Sequence, residues 1–172
     1  FVLLIAKPEL LVKRLNTKET EPEQRRVLAF SSLIFAASFL LCALDFRFGW
    51  SAVPAWLSTV GCVVFLLAYA GFAELLRENE YLSRSVELQA GQKVVSTGMY
   101  GIVRHPMYAV IIWLFLSMPL ILGSYIGLIP LVFIPYVLVK RLLNEEKLLR
   151  GGLDGYDEYM QKVRYRLIPF VW

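Results

Sequence analysis

The apolar positions of this chain do not alternate, and they do not trace one face of a helix. They run unbroken through four stretches, residues 27–44, 52–73, 107–123 and 125–139. A helix needs about 20 apolar residues to cross a bilayer, and the first two stretches meet that length without a charge. The link between them, residues 45–51, is short and aromatic, which predicts a turn at the membrane interface closing a helical hairpin. The third and fourth stretches are separated by little more than Ser124 and predict a second hairpin. Pro119, Pro130 and Pro135 lie inside it. Proline frees a backbone carbonyl and kinks a helix, so this hairpin is expected to pack against protein. Ahead of all four, residues 1–6 form an apolar stub followed by Lys7-Pro8. It reads as the end of a helix that begins before residue 1.

Composition agrees with the pattern. Of 172 residues, 58% are hydrophobic, 14% aromatic and only 19% charged, with a mean hydropathy of +0.57. Soluble domains are typically about 45–50% apolar, so a water-soluble globule is excluded, and so is a disordered chain. The expected fold class is an all-α integral membrane protein: two transmembrane helical hairpins plus the N-terminal stub. It forms a single domain over 1–172, with a transmembrane part at 1–78 and a chemistry-bearing part at 79–172. The net charge is +4. The Lys and Arg residues fall in three segments: six in 7–26, four in 74–105 and seven from Lys140 onward. The 45–51 link has only Arg47. By the positive-inside rule the three basic segments share the cytoplasmic side, giving a multi-pass topology with both hairpins pointing away. The charge therefore reports topology rather than nucleic-acid binding. Cys42 and Cys62 sit in apolar runs without metal-ligand spacing, so no metal site is expected.

Chemistry is expected in the polar parts. The sole histidine lies in Gly98-Met-Tyr100-Gly-Ile-Val-Arg104-His105-Pro106-Met107-Tyr108, at the mouth of the third apolar stretch. The residue before proline is disfavoured in a helix and Pro106 is suited to open one, so polar side chains and free helix amides converge here. A second group, Arg141-Leu-Leu-Asn144-Glu145-Glu146, places Arg141 and Glu145 four apart on one helix face. As an exposed ion pair they would contribute only ~0.3–0.5 kcal/mol. Facing the loop, they would close one pocket. Helix is expected from Lys140 to Arg150, a break at Gly151-Gly152, and an amphipathic stretch over 156–165. The 7–26 segment is expected to be a connector on the membrane surface. The tail from Tyr165, with Trp172, is expected to be an interfacial anchor, and Trp50, Trp56 and Trp113 belt or packing residues.

These residues resemble the isoprenylcysteine carboxyl methyltransferase family and its phospholipid methyltransferase relatives. The resemblance covers roughly residues 79–172. It rests on Gln92-Lys-Val-Val95, Thr97-Gly98-x-Tyr100, Arg104-His105-Pro106-x-Tyr108, Glu145-Glu146, Gly155-Tyr156-x-x-Tyr159 and Arg166-Leu-Ile-Pro169. Two departures stand out: Gln92 where many relatives carry His, and Arg150-Gly-Gly-Leu-Asp-Gly155 before Tyr156. The resemblance implies a membrane enzyme that binds S-adenosylmethionine in a cytoplasmic pocket made by the 79–106 loop and the C-terminal helices. It implies that Gln92, Lys93, Val94, Val95, Tyr100, His105, Pro106, Met107, Tyr108 and Glu145 hold the cofactor and that Arg141 holds the carboxylate of a lipophilic, isoprenylcysteine-like acceptor. Arg141 and Glu145 are thus the residues expected at the reaction.

The side-chain types suit that chemistry. A carboxylate is already ionised at neutral pH and needs a cation to hold it rather than a base to activate it. An amine acceptor would first have to lose a proton, so a phospholipid N-methyltransferase is the second reading. A sterol-type reductase binding a nicotinamide dinucleotide, and a non-catalytic membrane module, are the remaining ones.

Overall fold

The computed structural model describes residues 22–82 and 88–172, and the regular structure among them is entirely helical. The expected stub at 1–6 and most of the 7–26 connector lie outside the described residues. Six helices follow in order: α1 (Pro22–Phe48), α2 (Ala55–Glu78), α3 (Pro106–Ile121), α4 (Leu128–Leu131), α5 (Ile134–Gly152) and α6 (Tyr156–Lys162), with a 3₁₀ turn at Gly98–Gly101 between α2 and α3.

α1 and α2 are long and apolar enough to cross a membrane, and only 17% and 22% of their apolar windows are buried inside the protein. The core helix of a soluble protein would be mostly enclosed. Here Leu33, Leu40, Trp56, Leu66 and Leu67 are each at least 60% exposed, so these helices turn Leu and aromatic faces outward, as lipid-facing helices do. α3, 16 residues, is shorter but equally apolar.

The helices pair differently from the two hairpins expected. α2 lies chiefly along α3, whereas α1 packs on α3, α4 and α5. The α2–α3 contact is close because Gly61 has no side chain. A Cβ there would lie 3.2 Å from Leu120 Cβ and 3.3 Å from Ile121 Cγ1, and Ser58 Oγ donates to the Leu120 carbonyl at 2.9 Å. Small residues and hydroxyls at helix contacts are what hold helices together where lipid removes any hydrophobic drive between them.

Three boundaries also differ. α1 runs on to Phe48, through half of the expected 45–51 turn. The reason is Asp45, only 1% exposed. Its carboxylate accepts the Ser51 amide at 2.7 Å and the Ser51 hydroxyl at 2.5 Å, together with the Ser124 hydroxyl from the α3–α4 link. The fourth apolar stretch is split into α4 and α5 at Val132-Phe133, as Pro135 disfavours the bond to the carbonyl four residues back. Gly151-Gly152 stays helical, and α5 ends at Gly152 with Leu153 already extended.

The main core joins α1, α3, α4, α5 and the tail through Ile34, Tyr108, Leu131, Val137, Leu142 and Leu167. A second cluster, Leu149, Tyr156, Tyr159 and Val163, fastens α6 to the end of α5. The tail, expected as an anchor, is tied into the fold. The amides of Arg104 and His105 donate to the carbonyls of Tyr165 and Arg166, each at 2.9 Å, stitching the tail to the loop that enters α3.

Candidate active site

Where α2 ends, α3 begins and α5 leaves the apolar layer, a cleft opens with a volume of about 840 Å³ including its mouth. The chain folds this way here because Pro106 occupies the first turn of α3, which leaves His105 in a non-helical conformation (φ −127°, ψ 58°) at the N-cap. The loop before it is held at Gly98, whose φ is +45° and whose missing side chain makes room for the Glu78 carboxylate from the end of α2. Thr97 Oγ1 donates to that carboxylate at 2.7 Å.

Ten of the eleven residues singled out in the sequence line this cleft: Gln92, Lys93, Val94, Val95, Tyr100, His105, Met107, Tyr108, Arg141 and Glu145. Pro106 does not. It is buried in the first turn of α3, and its contribution is to aim its neighbours. Gln92 is partly spent within its own turn, since its side-chain oxygen accepts the Gln89 amide at 3.0 Å.

The cleft has two chemically distinct ends. One is apolar, with Val94, Leu149 and Leu153 beside Tyr156 and Tyr159. The other carries charge. Tyr108 Oη donates to Glu145 Oε2 at 2.6 Å, and Arg141 faces the same hydroxyl. α5 thus offers a carboxylate and a guanidinium one turn apart, both directed at the first turn of α3.

Behind the wall lies a network the sequence did not reveal. Glu146, only 4% exposed, accepts Arg104 Nε at 2.8 Å and lies 3.3 Å from His105 Nε2 through one oxygen; the other accepts Arg166 Nε at 2.9 Å. Burial alone would raise the Glu146 pKa, but the hydrogen bonds from His105, Arg166 and Arg104 outweigh it and bring it down to about 2. Arg104 spends its Nη1 on the carbonyls of Val163 and Arg164, at 2.8 and 2.9 Å. The loop, α5 and the tail are therefore tied by one carboxylate, and His105 is held at the cleft wall by it.

Tyr156 and Tyr159 also line the cleft and were assigned no role from sequence. The signal was present in Gly155-Tyr156-x-x-Tyr159, where two tyrosines three apart share a helix face. Tyr159 Oη donates to the Tyr100 carbonyl at 2.7 Å. Tyr156, 4% exposed, has a buried hydroxyl with no hydrogen-bond partner among the described residues. Burial raises the pKa of both phenols, helped at Tyr156 by the negative charge of Glu146 and at Tyr159 by Tyr100.

Fold and cleft together define a helical membrane protein with a cleft at the end of its bundle. The sequence profile of the isoprenylcysteine carboxyl methyltransferase family matches residues 59–151, and the chain belongs to that family. A solved structure of the eukaryotic intramembrane Ras methyltransferase, an isoprenylcysteine carboxyl methyltransferase, superposes with a TM-score of 0.70 at 19% identity. The match covers 99% of this chain and 60% of that one. At that identity the likeness is one of fold. This chain spans about 60% of that protein's length.

Proposed function

We propose that the protein is an S-adenosylmethionine-dependent carboxyl O-methyltransferase that acts on a lipophilic, isoprenylcysteine-like carboxylate from within the membrane, as a single domain over 1–172. The observation that carries the reading is the convergence of Arg141, Glu145, Tyr108 and His105 with the 92–95 segment on one cleft. The distribution of Lys and Arg supports a cytoplasmic position for that cleft.

The residues present fit the cofactor. Its purine suits the apolar end beside Val94, Leu149 and Leu153. Its zwitterionic tail and ribose suit the charged end. The Tyr156 hydroxyl offers a hydrogen bond that no described residue takes up. When bound, S-adenosylmethionine supplies an electrophilic methyl group. Glu145, held by Tyr108, would pair with its ammonium or ribose hydroxyls, and Gln92, Lys93, Val94, Val95, Tyr100 and Met107 would wall it in. Arg141 would hold the acceptor carboxylate in a two-point grip and so align one oxygen for in-line attack. No residue has to remove a proton, because the acceptor is ionised at neutral pH. Enclosure by Leu148, Leu149 and the tyrosines would keep water away from the reacting atoms.

The test is transfer of labelled methyl from S-adenosylmethionine to a farnesylcysteine analogue and to lipid extract, followed by mild base. Base-labile label released as methanol is the expected result. Base-stable label would replace the reading with N-methylation of an amine, and a protein that binds a nicotinamide dinucleotide instead would overturn it in favour of a reductase.

A further inference from the structure

A second cleft, of about 830 Å³ including its mouth, lies on the outer side of α5. Its walls carry Lys140, Lys147 and Arg150 from α5 and Arg166 from the tail, with Met160 of α6 opposite. Lys140, Leu143, Lys147 and Arg150 follow one another at spacings of three and four, so they form one helix face, and all four are exposed. The one acid in this wall, Glu146, is already hydrogen-bonded by Arg104 and Arg166. Arg150 is held by Asp157, but both side chains are more than half exposed, and such a pair is readily exchanged for another anion.

The same face continues into the apolar layer with the opposite character. Ile129, Val132, Phe133 and Tyr136 precede Lys140 at spacings of three, one, three and four, and are 57%, 70%, 56% and 60% exposed. The switch from apolar to basic falls between Tyr136 and Lys140, whose ammonium sits over the Tyr136 ring at 5.1 Å. In the tail, Arg166 is likewise stacked on Trp172 at 5.1 Å. Aromatic and basic residues paired in this way sit at the headgroup region of a bilayer. The positive-inside rule accounts for basic residues on this side. It does not account for their gathering in one groove directly above one exposed apolar stripe.

We propose that this face binds an anionic glycerophospholipid, its acyl chains along Ile129, Val132, Phe133 and Tyr136 and its phosphate in the groove between Lys140, Lys147 and Arg166. The continuity of apolar stripe and basic groove selects a lipid over a free phosphate, which has nothing to place on the apolar half. The site is separate from the candidate active site, on the other side of α5, and does not depend on the proposed methyl transfer.

Native mass spectrometry of the purified protein, with phosphatidylglycerol and phosphatidylcholine supplied in equal amounts, reads this directly. The wild type is expected to retain phosphatidylglycerol at least about thirtyfold over phosphatidylcholine, from two to three basic residues at an anionic headgroup, and less so at high salt. K140Q/K147Q is expected to bring the two lipids close to parity, while K140R/K147R keeps the preference. Both positions are exposed, and an unchanged elution volume confirms that the variants fold. A wild type without preference would overturn the proposal, as would a preference that survives in K140Q/K147Q. Displacement of the lipid by millimolar inorganic phosphate would also overturn it and make the groove a free-anion site. Because the readout is binding, failure here leaves the methyltransferase reading untouched.

Discussion

Tyr108 and Glu145, separated by 37 residues in sequence, meet through a 2.6 Å hydrogen bond in which the phenol donates to the carboxylate. The bond joins the first turn of α3 to the polar half of α5 and fixes the carboxylate at the charged end of the cleft. Glu145→Gln keeps the shape and removes the charge. It is expected to weaken S-adenosylmethionine binding about tenfold or more, the loss typical of a charged hydrogen bond at ~1.5–3 kcal/mol. Tyr108→Phe should produce a smaller loss of the same sign. Calorimetric titration measures both, and equal affinities in Glu145→Gln and wild type would remove Glu145 from the cofactor site.

Arg141 stands one turn before Glu145, and its proposed role rests on a planar two-point grip. Lysine keeps the charge but not that geometry. Arg141→Lys is therefore expected to raise the KM for the carboxylate acceptor several-fold to tenfold while the cofactor Kd stays within about twofold. A change confined to cofactor binding would instead put Arg141 on the cofactor.

Glu146 is expected to matter for stability first. Replacing it with Gln leaves the buried Arg104 without its counter-charge, a loss of about 3–5 kcal/mol in comparable buried pairs. The pH dependence has a definite sign. Its pKa in the folded protein is lowered to about 2, so its contribution is fully present above the ordinary glutamate value of about 4.3 and is lost as pH falls toward 2. Melting curves in detergent should show a wide gap between wild type and Glu146→Gln at pH 6 that narrows steadily below pH 4.5. A constant gap down to pH 2 would refute the assignment.

Tyr156 gives a prediction with two opposite signs. Its buried hydroxyl lacks a partner among the described residues, which carries a desolvation cost of about 1–3 kcal/mol. Tyr156→Phe should therefore leave the ligand-free melting temperature unchanged or raise it, while cofactor affinity falls severalfold. A lower melting temperature with unchanged affinity would show that the hydroxyl serves the fold alone.

The apolar runs that became α1, α2 and α3 were legible because nothing local competes with helix in an uninterrupted run of Leu, Ile, Phe and Ala. Pro119, Pro130 and Pro135 announced a kinked segment, but the full split between α4 and α5 was not expected. Residues 92–95 and Met107 were reached only through the family resemblance, whereas Tyr100, His105, Tyr108, Arg141 and Glu145 were legible from the residues themselves, since the first three crowd one helix start and the last two lie one turn apart. Their chemistry could be read from side-chain type. What escaped was every feature made by residues distant in sequence. Asp45 looked like an interfacial turn residue until Ser124, 79 positions later, closed on its carboxylate. Arg166 looked like part of a membrane anchor, yet it completes the Glu146 network.

Residue order alone determined that this chain belongs in a membrane, where its long apolar helices run, and which polar residues are available for chemistry, because hydropathy and proline act over a few neighbouring positions. Tertiary structure decided which helices touch, and it decided that the second of two adjacent glutamates holds the scaffold while the first faces the cleft. Successive residues on a helix point about 100° apart. Only the packing of α5 against α3 and the tail could assign Glu145 and Glu146 to their different sides.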